Sequence, residues 1–313
     1  MDWDRMGTAL ILQQMIVLFL MMAAGYVAGR CGVISRESEQ LFSRLIVNLT
    51  CPALIINNVT TSARLESLGA LFVIFVAAIG YYVLLPLVAN GAVWLLRMPA
   101  GRAAEYEGML IYSNIGFMGI PVANAVLGQD SILYLSIFMA VFNISVFSYG
   151  TLLLQQGGGG RADLRKMINP GTVSAVAAIL LYLLQVQLPD LLLQPVASIG
   201  STTTPLAMLV IGASLSRQPI QEVLQEKSLL PFTLLRLLVL PAVTLLACRW
   251  LIGDPMLLGV LVLVSAMPVA SNIVMICSEQ GRDFAYISKG VFFSTVFSVI
   301  TLPLVSMRIR IVA

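Results

Sequence analysis

The stretch Tyr112-Ser113-Asn114-Ile115-Gly116-Phe117-Met118-Gly119-Ile120-Pro121-Val122-Ala123-Asn124-Ala125-Val126-Leu127-Gly128 is apolar enough to cross a bilayer, yet it cannot make a good continuous helix. Proline at 121 lacks an amide donor and clashes with the carbonyl four residues back, and Gly116 and Gly119 weaken the turn on which it would stack. A break in the helix is therefore expected at Pro121. Within a membrane the backbone groups so released must find partners in protein or in a water-filled cavity. A second stretch of the same kind lies about 150 residues on, at Ser265-Ala266-Met267-Pro268-Val269-Ala270-Ser271-Asn272-Ile273-Val274, with Pro-Val-Ala-polar in common. Paired Gly/Pro-interrupted apolar segments in two halves of a chain point to a transporter's binding site.

Composition agrees with a membrane protein. Of 313 residues, 59% are hydrophobic and 11% charged, against roughly 25% charged in soluble domains, and the mean hydropathy is +0.94. Apolar runs take up nearly the whole length, which leaves no soluble domain. The net charge of +3 is small and dispersed through short loops, so nucleic acid is not an expected partner. The chain has no histidine, which excludes His-based metal sites and Ser-His-Asp or Cys-His catalysis. Cys31, Cys51, Cys248 and Cys277 lack CxxC spacing and read as small buried hydrophobes.

Ten runs can be placed, at about 9–28, 40–59, 68–96, 112–128, 132–154, 170–186, 192–215, 229–251, 256–278 and 284–307. Between the fifth and sixth lies Gly157-Gly158-Gly159-Gly160-Arg161, which lacks the Gly-Lys-Ser/Thr ending of a phosphate loop and reads as a linker. The organisation expected is a first five-helix repeat over 1–156, a cytoplasmic linker over 157–168 and a second five-helix repeat over 169–313. Four matches in the same order support the repeat: the two opening stretches, Asn48-Leu49-Thr50-Cys51-Pro52 with Ser201-Thr202-Thr203-Thr204-Pro205, Leu85-Pro86 with Leu240-Pro241, and Val141–Ser145 with Thr295–Val299. Five spans per copy is an odd number, so the second copy is inverted in the membrane. Charge agrees. Arg30, Arg36, Arg97, Arg102, Arg161, Arg165, Lys166, Arg217, Lys227, Arg282 and Lys289 lie on one side, whereas Arg5, Arg64, Arg249, Arg308 and Arg310 lie on the other. The positive-inside rule makes the first side cytoplasmic and puts both termini outside, in a multi-pass protein of the cell's inner (plasma) membrane.

No Asp or Glu falls in the middle of a run, so the usual carriers of coupling protons or sodium ions are missing there. Glu279 lies eleven residues past Pro268, about 16 Å along a helix and near the cytoplasmic face. Arg236 is the basic residue deepest inside a run, two turns from its cytoplasmic start, and is expected to snorkel to the interface in preference to pairing with substrate. What remains is polar and uncharged: Asn48, Thr50, Asn114, Asn124, Asn143, Thr202, Thr203, Thr204, Ser271 and Asn272. Helix-to-helix hydrogen bonding accounts for most such residues. Asn114 and Asn272 are singled out because each lies within two turns of a proline. A half-helix starting at such a break presents free N–H groups and a partial positive charge, which suits a carboxylate. The candidate substrate-binding set is Asn114, Gly119, Ile120, Pro121 and Val122 at the first break, Met267, Pro268, Ser271 and Asn272 at the second, and Asn48, Thr50 and Thr204. Neither a metal nor a cofactor is expected.

These residues resemble the auxin efflux carrier family, which includes plant auxin exporters and bacterial carriers for malonate- and malate-like acids. The marks are Ser113–Pro121, Asn169-Pro170, Pro205–Leu215, Ser294-Thr295 and Thr301-Leu302-Pro303. The resemblance implies an all-α fold of ten transmembrane helices in two inverted five-helix repeats, shared with bile acid–sodium symporters and sodium–proton antiporters. Spans 4 and 9 would be broken and cross at Pro121 and Pro268. Spans 1, 2, 6 and 7 would form a dimerising scaffold, and spans 3–5 and 8–10 a transport domain moving against it as an elevator. Asn114 matches the family's substrate-contacting asparagine. Unlike the plant members, this chain has a short linker and no acid within span 3. The function expected is that of a secondary carrier for a small organic anion, a mono- or dicarboxylate, with the coupling ion open; the alternative is a ligand-binding membrane receptor. An enzyme is disfavoured because general acid–base work needs titratable groups that the spans' centres lack.

Overall fold

The computed structural model describes residues 2–61, 68–96, 98–128, 130–156, 168–186, 188–217, 226 and 228–312. In chain order the helices are α1 (Asp2–Arg30), α2 (Arg36–Leu45), α3 (Cys51–Thr60), α4 (Leu68–Leu95), α5 (Ala103–Ile111), α6 (Ile120–Leu127), α7 (Ser131–Ser145), α8 (Thr151–Gln156), α9 (Pro170–Leu183), α10 (Asp190–Ser201), α11 (Thr203–Ser216), α12 (Leu229–Leu234), α13 (Leu240–Cys248), α14 (Pro255–Ala266), α15 (Asn272–Glu279) and α16 (Ala285–Val312). Six stretches among the described residues are long and apolar enough to cross a membrane: Arg36–Asn58, Leu71–Leu95, Ser131–Gln155, Asp190–Ser216, Leu229–Cys248 and Ala285–Ile309. The protein is an all-helical, multi-pass membrane protein.

Among the described residues there are four five-residue π turns, at Ile46–Thr50, Ile115–Gly119, Val146–Gly150 and Leu235–Val239; the first, third and fourth join helices end to end, and the second leads into α6. Three of them precede a proline, namely Pro52, Pro121 and Pro241, and the residue four before each proline lies within the turn. The physical cause is the clash of the pyrrolidine ring with that carbonyl, which a widened turn relieves without ending the helix. This corrects the expectation for Pro121. It sits in the first turn of α6, directly after a π turn, and does not break the span. The span unwinds earlier, at residues 112–114, between α5 and the π turn. In the other half the unwound residues, 267–270, do include Pro268.

Close helix contacts are made through glycine. α1 packs along α11, where a Cβ on Gly212 would overlap the carbonyl oxygen of Met22 and one on Gly25 that of Leu209. α3 lies against α9 and α10, and a Cβ on Gly200 would come 2.8 Å from the Leu54 backbone. Without a hydrophobic driving force between helices in lipid, backbone approach of this kind supplies the packing. α4 lies on α5 and α7, and α12 and α13 on α14 and α16. Residues Leu257–Ala266 of α14 are all buried, so this half-span runs through the centre of the molecule, whereas Leu84, Leu87, Leu192 and Leu304 on other helices face outward as lipid-facing residues do. Cys51 and Cys277 are buried as expected, but Cys31 is exposed and Cys248 partly so; all four are unpaired thiols. Cys31 follows the last residue of α1, outside the packed helix surfaces. The glycine linker and its basic patch lie outside the described residues.

Candidate functional site

The two unwound segments meet. Tyr112 and Met267 are extended, and Ser113 and Val269 form an antiparallel bridge. The Asn114 amide donates to the Pro268 carbonyl (2.8 Å) and the Ala270 amide to the Tyr112 carbonyl (2.9 Å), while the Val269 amide donates to Ser294 Oγ on α16 (3.0 Å). Each break thus supplies partners for the other's released backbone, as burial in an apolar medium requires. Tyr112 is anchored by its hydroxyl on the Ser145 carbonyl at the end of α7 (3.0 Å).

The side chains here are buried and under-satisfied. Asn114 is 3% exposed, and its amide group has no hydrogen-bond partner among the described residues. A primary amide can donate twice and accept twice, so an unused one at a helix break is suited to a ligand. Ser271, the N-cap of α15, is fully buried and its hydroxyl is unpartnered, although its carbonyl accepts from the amides of Val274 and Met275. Asn272, next along the chain, is half-buried. Met267 and Pro268 are buried in the second break, whereas Gly119 and Val122 are buried beyond the first, at the end of the π turn and in α6. Ile120 stands with Pro121 in the first turn of α6.

A cavity of about 480 Å³ lies to one side, lined by Val47, Asn48, Phe147, Thr151, Ile168, Asn169, Pro170, Ile276, Glu279 and Gln280. Ile276, Glu279 and Gln280 lie four, seven and eight residues after Asn272. That spacing puts them with Asn272 on one helix face, so this wall of the cavity leads up toward the second break. Asn48 is at this cavity, not at the breaks, and its amide donates to the Arg44 carbonyl (2.9 Å), serving the widened turn before Pro52. Asn169 caps α9 by accepting from the Thr172 amide and donates to the Phe147 carbonyl (2.7 Å), tying α9 to the π turn after α7. Thr50 is buried with its hydroxyl unpartnered. Thr203 is likewise fully buried with its hydroxyl unpartnered, whereas Thr204 is half-buried.

Arg236 overturns the snorkelling expectation. It is 0% exposed, and its guanidinium reaches the breaks themselves, donating through Nη2 to Ser113 Oγ and through Nη1 to the Ser265 carbonyl at the end of α14 (3.2 Å). A position seven residues into α12 and its π turn is about 10 Å along the axis. Before it Leu229, Phe232 and Thr233 are buried as α12 packs on α16, and the π turn that carries Arg236 packs on α14 and α16. The sequence held one signal for this, a lone cation within a span and no acid to pair with it, since such residues face a protein interior by default.

Over residues 10–166 and 159–306 the sequence matches a family model described as membrane transport protein. The chain belongs to this family. Its match to the auxin efflux carriers stands with it, and the protein is a membrane transporter and not an enzyme. Similar proteins include an uncharacterized transporter of Methanocaldococcus jannaschii, 23% identical over 92% of this chain and 96% of that protein. An uncharacterized transporter of Methanothermobacter thermautotrophicus is 24% identical over 96% and 97%. A Rhizobium meliloti protein named "Putative malonate transporter" is 24% identical over 94% and 93%. The transporter's two helix breaks meet at Ser113 and Val269.

Proposed function

We propose that this transporter is a secondary carrier for a small organic anion, a mono- or dicarboxylate, bound where residues 112–114 meet residues 267–272. The observation that carries the reading is the pairing of the two breaks beside the buried, unpartnered amide of Asn114. An anion at that depth is stable only against opposite charge or several directed donors. The donors are the Asn114 and Asn272 side-chain amides, the Ser271 hydroxyl and those first-turn N–H groups of the half-helices that remain after Ile115 donates to Ser113, Met118 to Asn114 and Val274 to Ser271. The name of the Rhizobium meliloti relative favours a short dicarboxylate.

In this reading the chain has ten spans in two inverted repeats, with α5–α6 and α14–α15 as the broken fourth and ninth. α1, α2–α3, α9 and α10–α11 form a scaffold that dimerises in the inner membrane, with both termini outside. The remaining helices carry the site past it in an elevator movement, and the cavity at Asn48, Asn169 and Glu279 is the cytoplasmic approach. The test is uptake and counterflow in proteoliposomes with a panel of mono- and dicarboxylates, under separately imposed pH and sodium gradients. Saturable counterflow of at least one acid is expected, and its absence across the panel would refute the reading.

A further inference from the structure

Arg236 is a buried cation with no acid paired to it among the described residues. Among the described residues the ion pairs are Arg102–Glu226, Arg217–Glu39 and Lys289–Glu226, none of which involves it. Its two hydrogen bonds go to neutral oxygens, on Ser113 and Ser265, and its Nε has no partner. The hydroxyl of Tyr81, on α4, lies close to both the guanidinium and Ser113, and that of Tyr82 is within electrostatic reach of the guanidinium; both are buried and neutral, and neither makes a hydrogen bond of regular geometry. An unpaired ion in a medium of this kind is strongly disfavoured. Such a group persists where dipoles or a visiting charge compensate it. The Ser265 carbonyl, in the negative end of α14, compensates part. The remainder is a positive field at Ser113, one residue from Asn114.

We propose that Arg236 holds one unbalanced positive charge behind the meeting of the two breaks and so restricts the site to ligands that carry negative charge. It acts as a positioning residue, through its field and through Ser113. It approaches the breaks from α14 and α16, whereas the cavity is walled by α15, α9 and the π turns before α3 and α8. The inference rests on the reading that the breaks are the substrate site. It assigns to that site a charge selectivity that the Asn114 and Asn272 amides lack, because an amide serves a carboxylate and a carboxylic acid alike. At an effective dielectric of about 20, a unit charge within about 10 Å alters affinity by roughly tenfold or more for each charge on the ligand.

Malonate, its monoamide and its diamide have similar size and carry two, one and no charges, so they read this field directly. Binding to the purified wild-type protein and inhibition of carboxylate uptake are expected to weaken by roughly tenfold at each step. Arg236→Gln should flatten the series, and Arg236→Lys should keep it. Should Arg236→Gln not fold, Ser113→Asp keeps the arginine and neutralises it in place, and is expected to yield folded protein with the same flattened series. A wild-type series retained in folded Arg236→Gln or Ser113→Asp overturns the inference, as does a flat series in a wild-type protein that transports carboxylates, and either result leaves the carrier reading standing. Failure of the wild-type protein to transport any carboxylate overturns the carrier reading and the inference with it.

Discussion

The backbone amide of Asn114 donates to the carbonyl of Pro268 across 2.8 Å, joining residues 154 positions apart at the point where both chain halves lose their helical hydrogen bonds. The pairing uses the asparagine's main chain and leaves its side chain available. Asn114→Ala should therefore leave the fold intact and remove one hydrogen bond to a charged partner, about 1.5–3 kcal/mol or roughly ten- to a hundredfold in affinity. Titration of the purified variant with a transported acid checks this, and wild-type affinity would place the ligand elsewhere.

The two prolines should not behave alike. Pro121 is accommodated by a π turn inside a continuing helix, so Pro121→Ala is expected to relax that turn and retain most transport. Pro268 lies in the unwound segment, where alanine lets α14 continue toward α15 and withdraws the carbonyl that Asn114 uses. Pro268→Ala should cost at least tenfold more in uptake rate than Pro121→Ala. Equal losses would return Pro121 to the site.

Glycine at 212 is a packing requirement. Any Cβ there overlaps the Met22 carbonyl of α1, a backbone atom that cannot step aside, whereas Gly91 on α4 has open space around it. Gly212→Leu should separate α1 from α11 and lower the yield of monodisperse protein and its melting temperature, while Gly91→Leu changes neither. Size-exclusion profiles with thermal melts of the two variants decide the matter.

Much of this was legible in the sequence. Hydropathy gave the membrane class and Pro268 marked the second break. Asn114 stood out because an amide in an apolar run near helix breakers is costly without a purpose. The first break was misplaced by about eight residues because a proline's clash can be absorbed by a π turn, while Tyr112-Ser113-Asn114 carries no local breaker and unwinds only because residues 267–270 offer it partners. Arg236 was misread for a related reason. Distance from a span's end was taken as the guide, and the packing of α12 and its π turn on α14 and α16 is tertiary.

The inverted repeat has its own test in single cysteines at Gly158 and at Met1, placed in a background free of the four native cysteines. Five spans between them require labelling from opposite sides of the membrane by an impermeant reagent. Labelling of both from one side would remove the odd-numbered repeat.

The central claim, that the meeting of the breaks is a substrate site opened to each side of the membrane in turn, is tested most directly by a cysteine at Ser271 in the same background. Ser271 is fully buried at the start of α15, beside Ala270 in the paired segment. The account predicts that an impermeant thiol reagent modifies Ser271→Cys from the cytoplasmic side and from the external side, and that a transported carboxylate slows both reactions. Modification from one side alone, or at a rate that no carboxylate alters, would contradict it.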